Sequence, residues 1–266
     1  MKKVASFRKE LFFRRLKIAV IVLVPLSLII GAAFFIHQSP ELRISGIDIF
    51  GNLSVSSGDI KKEADDIASR NIFGKILGKD HIFAWGRFPE SELKERIFRL
   101  SDVKISLDRS SRKIGISVSE RKEFLIWCLV YGEGEPKKCF WIDKDGAIFS
   151  VGPDAEGALI MVVNDHSGRE LNIKDKPLSE DELKNFNKMT SLFDKFDWVV
   201  SDIAFKDAYL KELSVKLPGG QELFFDLKND PSFGESVIRT LMESGEWPRI
   251  QYLDLRVEGK GFYRLN

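Results

Sequence analysis

At 266 residues, 44% of them hydrophobic and 30% charged, the chain has the size of one large or two small domains and an ordinary globular composition; it carries no repeat and no low-complexity segment. Forty-one Lys and Arg stand against forty Asp and Glu, a formal net charge of +1, so the whole-chain balance gives no electrostatic footprint for nucleic acid.

The charge is unevenly placed. Residues 1–17 hold seven basic groups, Lys2, Lys3, Arg8, Lys9, Arg14, Arg15 and Lys17, opposed only by Glu10. Residues 18–36 then carry no charge and a single hydroxyl, Ser27. At ~1.5 Å rise per residue this run spans roughly 28 Å, close to the ~30 Å hydrocarbon core of a bilayer. Pro25 and Gly31 are compatible with a spanning helix, and the basic flank orients it with residues 1–17 in the cytoplasm and everything after His37 outside. A cleaved signal peptide is the competing reading, with Gly31-Ala32-Ala33 as the cut; against it, the apolar run continues through Phe34, Phe35 and Ile36 and the basic region is long. A buried helix of a soluble protein would show one polar face, and this segment shows none. The basic tail could also bind acidic lipid, but its role in orienting the helix already accounts for it.

After Gln38-Ser39-Pro40, residues 42–121 read as strand, helix, helix, strand, strand. Leu42, Ile44, Ile47 and Ile49 alternate with a phase slip at Gly46, which predicts one strand with a bulge, ended by a turn at Gly51-Asn52. Ser56 and Asp59 resemble a capping box with a shortened acid; the helix they open carries Ile60, Ala64, Ile67 and Ala68 on one face to about Ser69. Pro89 opens a second helix, with Leu93, Ile97 and Leu100 at helical spacing. Val103, Ile105 and Leu107, then Ile114, Ile116 and Val118, alternate on either side of a polar turn at 108–113, predicting a hairpin with one buried face.

Residues 122–266 are mostly strand. The expected strands are 124–130, 138–142, 147–151, 198–206, 209–217, 221–227 and a last one over about 250–264, kinked or turned at Gly259-Lys260-Gly261. The expected helices are 179–196, opened by a capping box from Ser179 to Glu182 with Leu183, Phe186, Met189, Phe193 and Phe196 inward, and 231–244. The fold class is therefore α+β: one N-terminal transmembrane helix, a β-α-α-β-β domain, and a mostly antiparallel β-domain with two helices.

Residues that could carry chemistry are sparse. His37, His81 and His166 have no His or Cys at metal-ligand spacing, and no GxSxG, HExxH, P-loop or GxGxxG motif occurs, so no catalytic residue, metal, cofactor or small-molecule substrate is expected. Asp143-Lys144-Asp145-Gly146 starts like a calcium loop, but its Gly stands fourth and no Glu stands twelfth, which favours a tight turn. Asn52-Leu53-Ser54 matches a glycosylation sequon and is read as a turn. Of the five Trp, Trp127 and Trp141 fall near-opposite on the hairpin 124–142, with one of them free to be exposed. Pairing Cys128 with Cys139 centres that hairpin between Glu133 and Gly134, inside Gly132-Glu133-Gly134-Glu135. Opposed Cβ atoms lie ~4.5–5.5 Å apart and a disulfide needs ~3.8 Å, so the bond suits a closer, non-hydrogen-bonded pair. The expectation is a disulfide worth at most ~3 kcal/mol, with two buried free Cys as the alternative.

Several stretches together resemble the FtsQ/DivIB family of bacterial cell-division proteins. They are the basic tail with one membrane helix; Ile44–Asn52, similar to the opening strand and turn of the family's POTRA domain; and 103–106 through Val118-Ser119-Glu120-Arg121, similar to its closing hairpin with a V-x-E-R signature. Trp141-Ile142-Asp143 with Gly146-Ala147-Ile148-Phe149, and Tyr252-Leu253-Asp254-Leu255-Arg256, resemble its VD-x-x-G-x-x-F and YIDLR elements. The chain departs from the pattern by an insertion-like stretch from Lys75 to Trp85, by the missing Pro after Arg121, and by ending soon after its last strand. The resemblance implies a POTRA domain at 42–121, an FtsQ-type β-domain at 122–266 and a non-enzymatic role in the division septum. It implies a scaffold of the divisome that binds the coiled-coil proteins FtsB and FtsL and helps control septal peptidoglycan synthesis by FtsW and FtsI during the cell cycle. In that family FtsB adds a strand to the final edge of the β-domain, which here corresponds to Arg256–Arg264, with Arg256, Val257, Glu258, Phe262, Tyr263 and Arg264 as candidate contacts.

Unpaired N–H and C=O groups on such an edge are what strand addition uses. Arg256 is either a polar anchor for the partner or a surface salt bridge, and of Phe262 and Tyr263 alternation points one inward and the other outward. Proline at Val257 or Phe262 is expected to abolish binding with the fold intact. Two other readings are a membrane-anchored, extracytoplasmic Cys-dependent enzyme using Cys128 or Cys139 with His166, and a POTRA-bearing assembly protein outside division. An outer-membrane barrel would need a long series of amphipathic strands that the ~145 residues after the POTRA segment do not supply.

Overall fold

The structure, a computed structural model, describes residues 2–132, 137–155, 160–200 and 202–266. It is a mixed α+β protein that begins with a long helix, α1 (Lys2–Gln38), and divides into two compact units, 1–120 and 121–266. Within α1, Val20–Gln38 is long and apolar enough to cross a membrane, and Ile21, Leu28 and Phe35 on it are 70%, 68% and 72% exposed.

In the first unit, β1 (Gly46–Phe50), α2 (Ser57–Arg70), α3 (Ile72–Leu77), α4 (Glu90–Arg96), β2 (Leu100–Asp108) and β3 (Lys113–Glu120) build a three-stranded sheet in the order β1-β3-β2. The β1–β3 pair is parallel and the β2–β3 pair antiparallel, so the helices form the crossover that a parallel pair requires. Ile60, Ala64, Ile67 and Leu93 from the helices meet Val103, Ile114, Ile116 and Val118 from the sheet, all buried. Ser56 accepts the Asp59 amide as the N-cap of α2.

The expected bulged strand from Leu42 is corrected: Pro40 seeds a 3-10 turn over Pro40–Leu42, and β1 starts only at Gly46. Upstream, the Ile44 and Ser45 amides donate to Asp80 O and Arg112 O, leaving the extended stretch outside the regular ladder. Gly51 is needed where the strand ends: its φ is +84°, and a Cβ there would lie 2.2 Å from Val118 O. The insertion-like stretch is ordered. It holds the end of α3, a 3-10 turn at Ile82–Ala84, and Trp85, which is buried, stacks on Phe88 at 5.3 Å and donates its indole N–H to Lys79 O.

The second unit comprises β4 (Leu125–Leu129), β5 (Lys138–Ile142), β6 (Ile148–Val151), β7 (Val162–Asp165), α5 (Glu180–Lys195), β8 (Asp202–Asp207), β9 (Glu212–Lys216), β10 (Glu222–Asp226), α6 (Gly234–Glu243), β11 (Ile250–Asp254) and β12 (Phe262–Leu265). They form one nine-stranded sheet in the order β12-β11-β10-β9-β8-β7-β4-β5-β6. Five neighbouring pairs are antiparallel; β4–β7, β7–β8 and β10–β11 are parallel. Phe186, Met189, Leu192 and Phe193 of α5 and Ile238 and Leu241 of α6 pack into one core with Trp127, Phe205, Phe225 and Leu253. The Ser179–Glu182 box caps α5 reciprocally. On the opposite face Ile126, Cys128, Cys139 and Val162 are buried with Trp141 and Ala155 against them.

Four strand expectations change here. β7 is a strand beyond those expected, inside the sheet with parallel partners on both sides. Strand 198–206 begins at Asp202, because Trp198 still closes the end of α5 by donating its amide to Phe193 O. Strand 209–217 begins at Glu212, because the Asp207 carboxylate accepts the Tyr209 and Leu210 amides and folds a turn there. The last strand is two strands, β11 and β12, in an antiparallel hairpin.

The turn at 133–136 lies outside the described residues, but the register it was expected to set is visible: Cys128 opposes Cys139 and the two form a disulfide with Cα atoms 4.0 Å apart. Amides of Ile126 and Val130 both donate away from β5, to Met161 O and Asp165 O, so by strand alternation Cys128 sits in a non-hydrogen-bonded pair with Cys139. With a sequence separation of 11, loop closure is worth at most about 3 kcal/mol. The double variant Cys128→Ala/Cys139→Ala is expected to lose up to that much stability in chemical denaturation and to fold to the same sheet; an unchanged midpoint would show that the bond contributes nothing.

Candidate functional site

The β11–β12 hairpin is positioned by α6, which carries the chain across the core face so that β11 returns parallel to β10, with Leu253 and Leu255 buried. Pairing continues past β11, since the Leu255 amide donates to Phe224 O. Arg256, Val257 and Glu258 then lie in the turn and not on the edge strand; Lys260 N–H closes the turn on Val257 O, and Gly259 has φ +70°. Gly261 lets β12 come back against α6, because a Cβ there would lie 2.8 Å from Val237 Cγ1.

Phe262, Tyr263 and Arg264 are on β12, opposite Asp254, Leu253 and Tyr252. Phe262 and Tyr263 point to opposite faces as alternation requires, yet both stay exposed, at 54% and 44%. Tyr263 shares the face of Leu253 and reaches the Glu246 carboxylate with its hydroxyl at 3.1 Å. Phe262 and Arg264 share the outer face with Tyr252 and Phe224, whose rings meet edge to face at 6.0 Å. Helices α5 and α6 of this unit pack on the opposite face, against Leu253 and Phe225.

Arg256 is engaged within its own unit. It forks onto Asp254 (Nε–Oδ1 2.9 Å, Nη2–Oδ2 2.6 Å), donates to Glu212 Oε2 at 2.9 Å and lies 5.5 Å over the Phe224 ring. Its hydrogen bonds hold the Asp254 carboxyl below the ordinary range. As placed, it staples the end of β11 to β9.

The two sheet edges differ. At the β6 edge the segment 172–175 bonds to the first residue of the strand: Ile148 N–H donates to Asp175 O, and Ile148 O accepts Lys174 N–H, both at 2.9 Å. At the other edge β12 pairs with β11 alone among the described residues. Asn266 N–H donates back to Arg249 O, so along β12 the amides of Arg264 and Phe262 face β11, and those of Tyr263 and Leu265 face outward. This edge is short and flanked by exposed aromatic rings.

The other sequence candidates resolve into structure. The Asp143 carboxylate accepts the Asp145 and Ala147 amides at 3.0 and 2.9 Å and an Arg121 hydrogen bond, which makes the tetrapeptide a clamped turn. Cys128, Cys139 and Asp154 lie close enough to share an ion, but both sulfurs are spent in the disulfide. His166 donates its amide to Phe205 O at a strand end. Sequence reading missed the apolar outer strip of Phe224 and Tyr252; the alternating residues of β10 and β11 were the available signal. No protein-family model matches the chain, and none of the curated proteins matches it.

Proposed function

We propose that the chain is a membrane-anchored scaffold of the FtsQ/DivIB kind. In this reading α1 spans the bacterial inner membrane with its basic tail in the cytoplasm, the first unit is a POTRA domain, the second is the β-domain, and both lie outside the cytoplasm at the division septum. The observation that carries it is the β12 edge, paired with β11 alone among the described residues and presented by a chain with an apolar N-terminal helix. Outward amides at Tyr263 and Leu265 and exposed side chains at Phe262 and Arg264 suit an added strand from a coiled-coil partner such as FtsB, with FtsL bound alongside and FtsW and FtsI acted on through them. A disulfide fits an oxidising compartment. The role needs no cofactor and no catalytic residue.

A photo-cross-linking amino acid at Phe262 or Arg264 is expected to capture the coiled-coil partner in dividing cells, whereas the same probe at the exposed Val151, on the opposite edge strand β6, does not. Equal yields at both edges, or none at β12, would overturn the docking site.

A further inference from the structure

We infer that the first unit docks onto an acidic phospholipid surface through α3, the Ile82–Ala84 turn and an adjoining arginine-lined cavity. The inference rests on the reading of α1 as a membrane anchor and adds a second contact with the same bilayer.

Ile72, Phe73 and Ile76 lie along one side of α3 and are 67%, 48% and 65% exposed; Phe83 is 44% exposed. These are large apolar side chains next to α2, which buries Ile60, Ala64, Ile67 and Ala68, and they form one patch, since the Phe73 and Phe83 rings are 6.0 Å apart. The patch is tied to the end of α1. Phe83 lies 5.1 Å from the His81 ring, and His81 Nε2 is 3.2 Å from Ile36 O in the last turns of the apolar helix. A residue in contact with Ile36 sits where that helix leaves the hydrocarbon, so the patch emerges at headgroup depth.

Charge supports the same occupant. A cavity of about 350 Å³ is bounded by Ile82 and Phe83 on one side and by Arg43, Arg109 and Arg112 on the other, with Glu41 as the single acid on its wall. Arg112 donates to Pro40 O at 2.9 Å, two residues beyond the end of α1. Arg43 also donates to His37 O at 3.5 Å, so two of the three arginines are held at the end of α1 with donors to spare, and three positive charges beside an apolar lip match a phosphodiester headgroup above acyl chains.

The test uses the full chain in phosphatidylcholine vesicles, with and without added phosphatidylglycerol. A nitrobenzoxadiazole label goes on Ile76→Cys, or on Leu28→Cys within α1; the two native Cys are bonded and do not react. Spin-labelled lipids are expected to quench the Leu28 label in both lipids, and the Ile76 label more strongly when phosphatidylglycerol is present. Arg109→Glu should remove that lipid dependence. A quenched Leu28 label with an aqueous Ile76 label overturns the docking and leaves the anchor standing. Two aqueous labels overturn the anchor and the docking with it. Equal quenching of Ile76 in both lipids overturns the assignment of the arginine cavity to acidic headgroups.

Discussion

Replacing Glu120 with Gln should lower the stability of the first unit by about 3 kcal/mol at neutral pH. The Glu120 side chain is only 5% exposed. Its Oε1 accepts the amides of Leu53, Ser54 and Val55 at 2.6, 2.8 and 2.9 Å, and its Oε2 accepts Arg99 Nε at 3.2 Å. Burial pushes the carboxyl upward, but the Val55, Leu53 and Ser54 amides and then Arg99 outweigh it and hold the pKa at about 2, against an ordinary 4.5. Each pKa unit corresponds to ~1.4 kcal/mol, so the depression stores about 3 kcal/mol in the folded state. The sign follows from a lowered folded pKa. The contribution is complete above the unfolded value near 4.5 and is lost as pH falls through about 2. Hydrogen exchange on β1 to β3 reads it directly. Protection in the native protein should fall across that acid window, and Glu120→Gln should be less protected at neutral pH and fall less steeply, since Asp66 and Asp108, also held below the ordinary range, still titrate in it. A loss within ~0.5 kcal/mol, the range of an ordinary surface substitution, would remove Glu120 from this role.

Tyr263→Pro should weaken binding of the coiled-coil partner ~10-fold or more while the second unit stays folded. One ladder hydrogen bond is worth roughly 0.5–1.5 kcal/mol, and the ring blocks close approach of an added strand as well. The position matters because the Tyr263 amide faces outward. Proline at Phe262 removes an amide that faces β11 and should open the hairpin, and proline at Val257 alters only the turn. The substitutions that the sequence suggests at those two positions therefore do not separate docking from folding. Titration calorimetry with the purified partner checks the binding, and near-ultraviolet circular dichroism checks the fold. Unchanged affinity in a folded Tyr263→Pro protein would exclude strand addition at β12.

How far the sequence could be read depended on whether the deciding interaction was local. Caps and alternation are local, and Ser56, Ser179, β2 and β3 follow from them. The cysteine pair could be placed because both partners flank one turn. β7 has only four residues and is stabilised by neighbours distant in sequence, Ile126–Leu129 and 202–205, so no pattern within it announces an inner strand. The division of the last segment into β11 and β12 was hidden for another reason. Gly259 and Gly261 mark either a kink or a full reversal, and the choice is made by Val237 on α6, which a glycine alone lets β12 approach. At the candidate site the terminal edge was legible. The roles of Arg256, Val257 and Glu258 were not, because the partners of Arg256 include Glu212, 44 residues away.

The boundary between the units falls between Glu120 and Arg121, two neighbours in sequence that fasten different things: Glu120 closes on residues 53–55, and Arg121 on Asp143. Each half thus keeps its own latch when the chain is divided at that peptide bond.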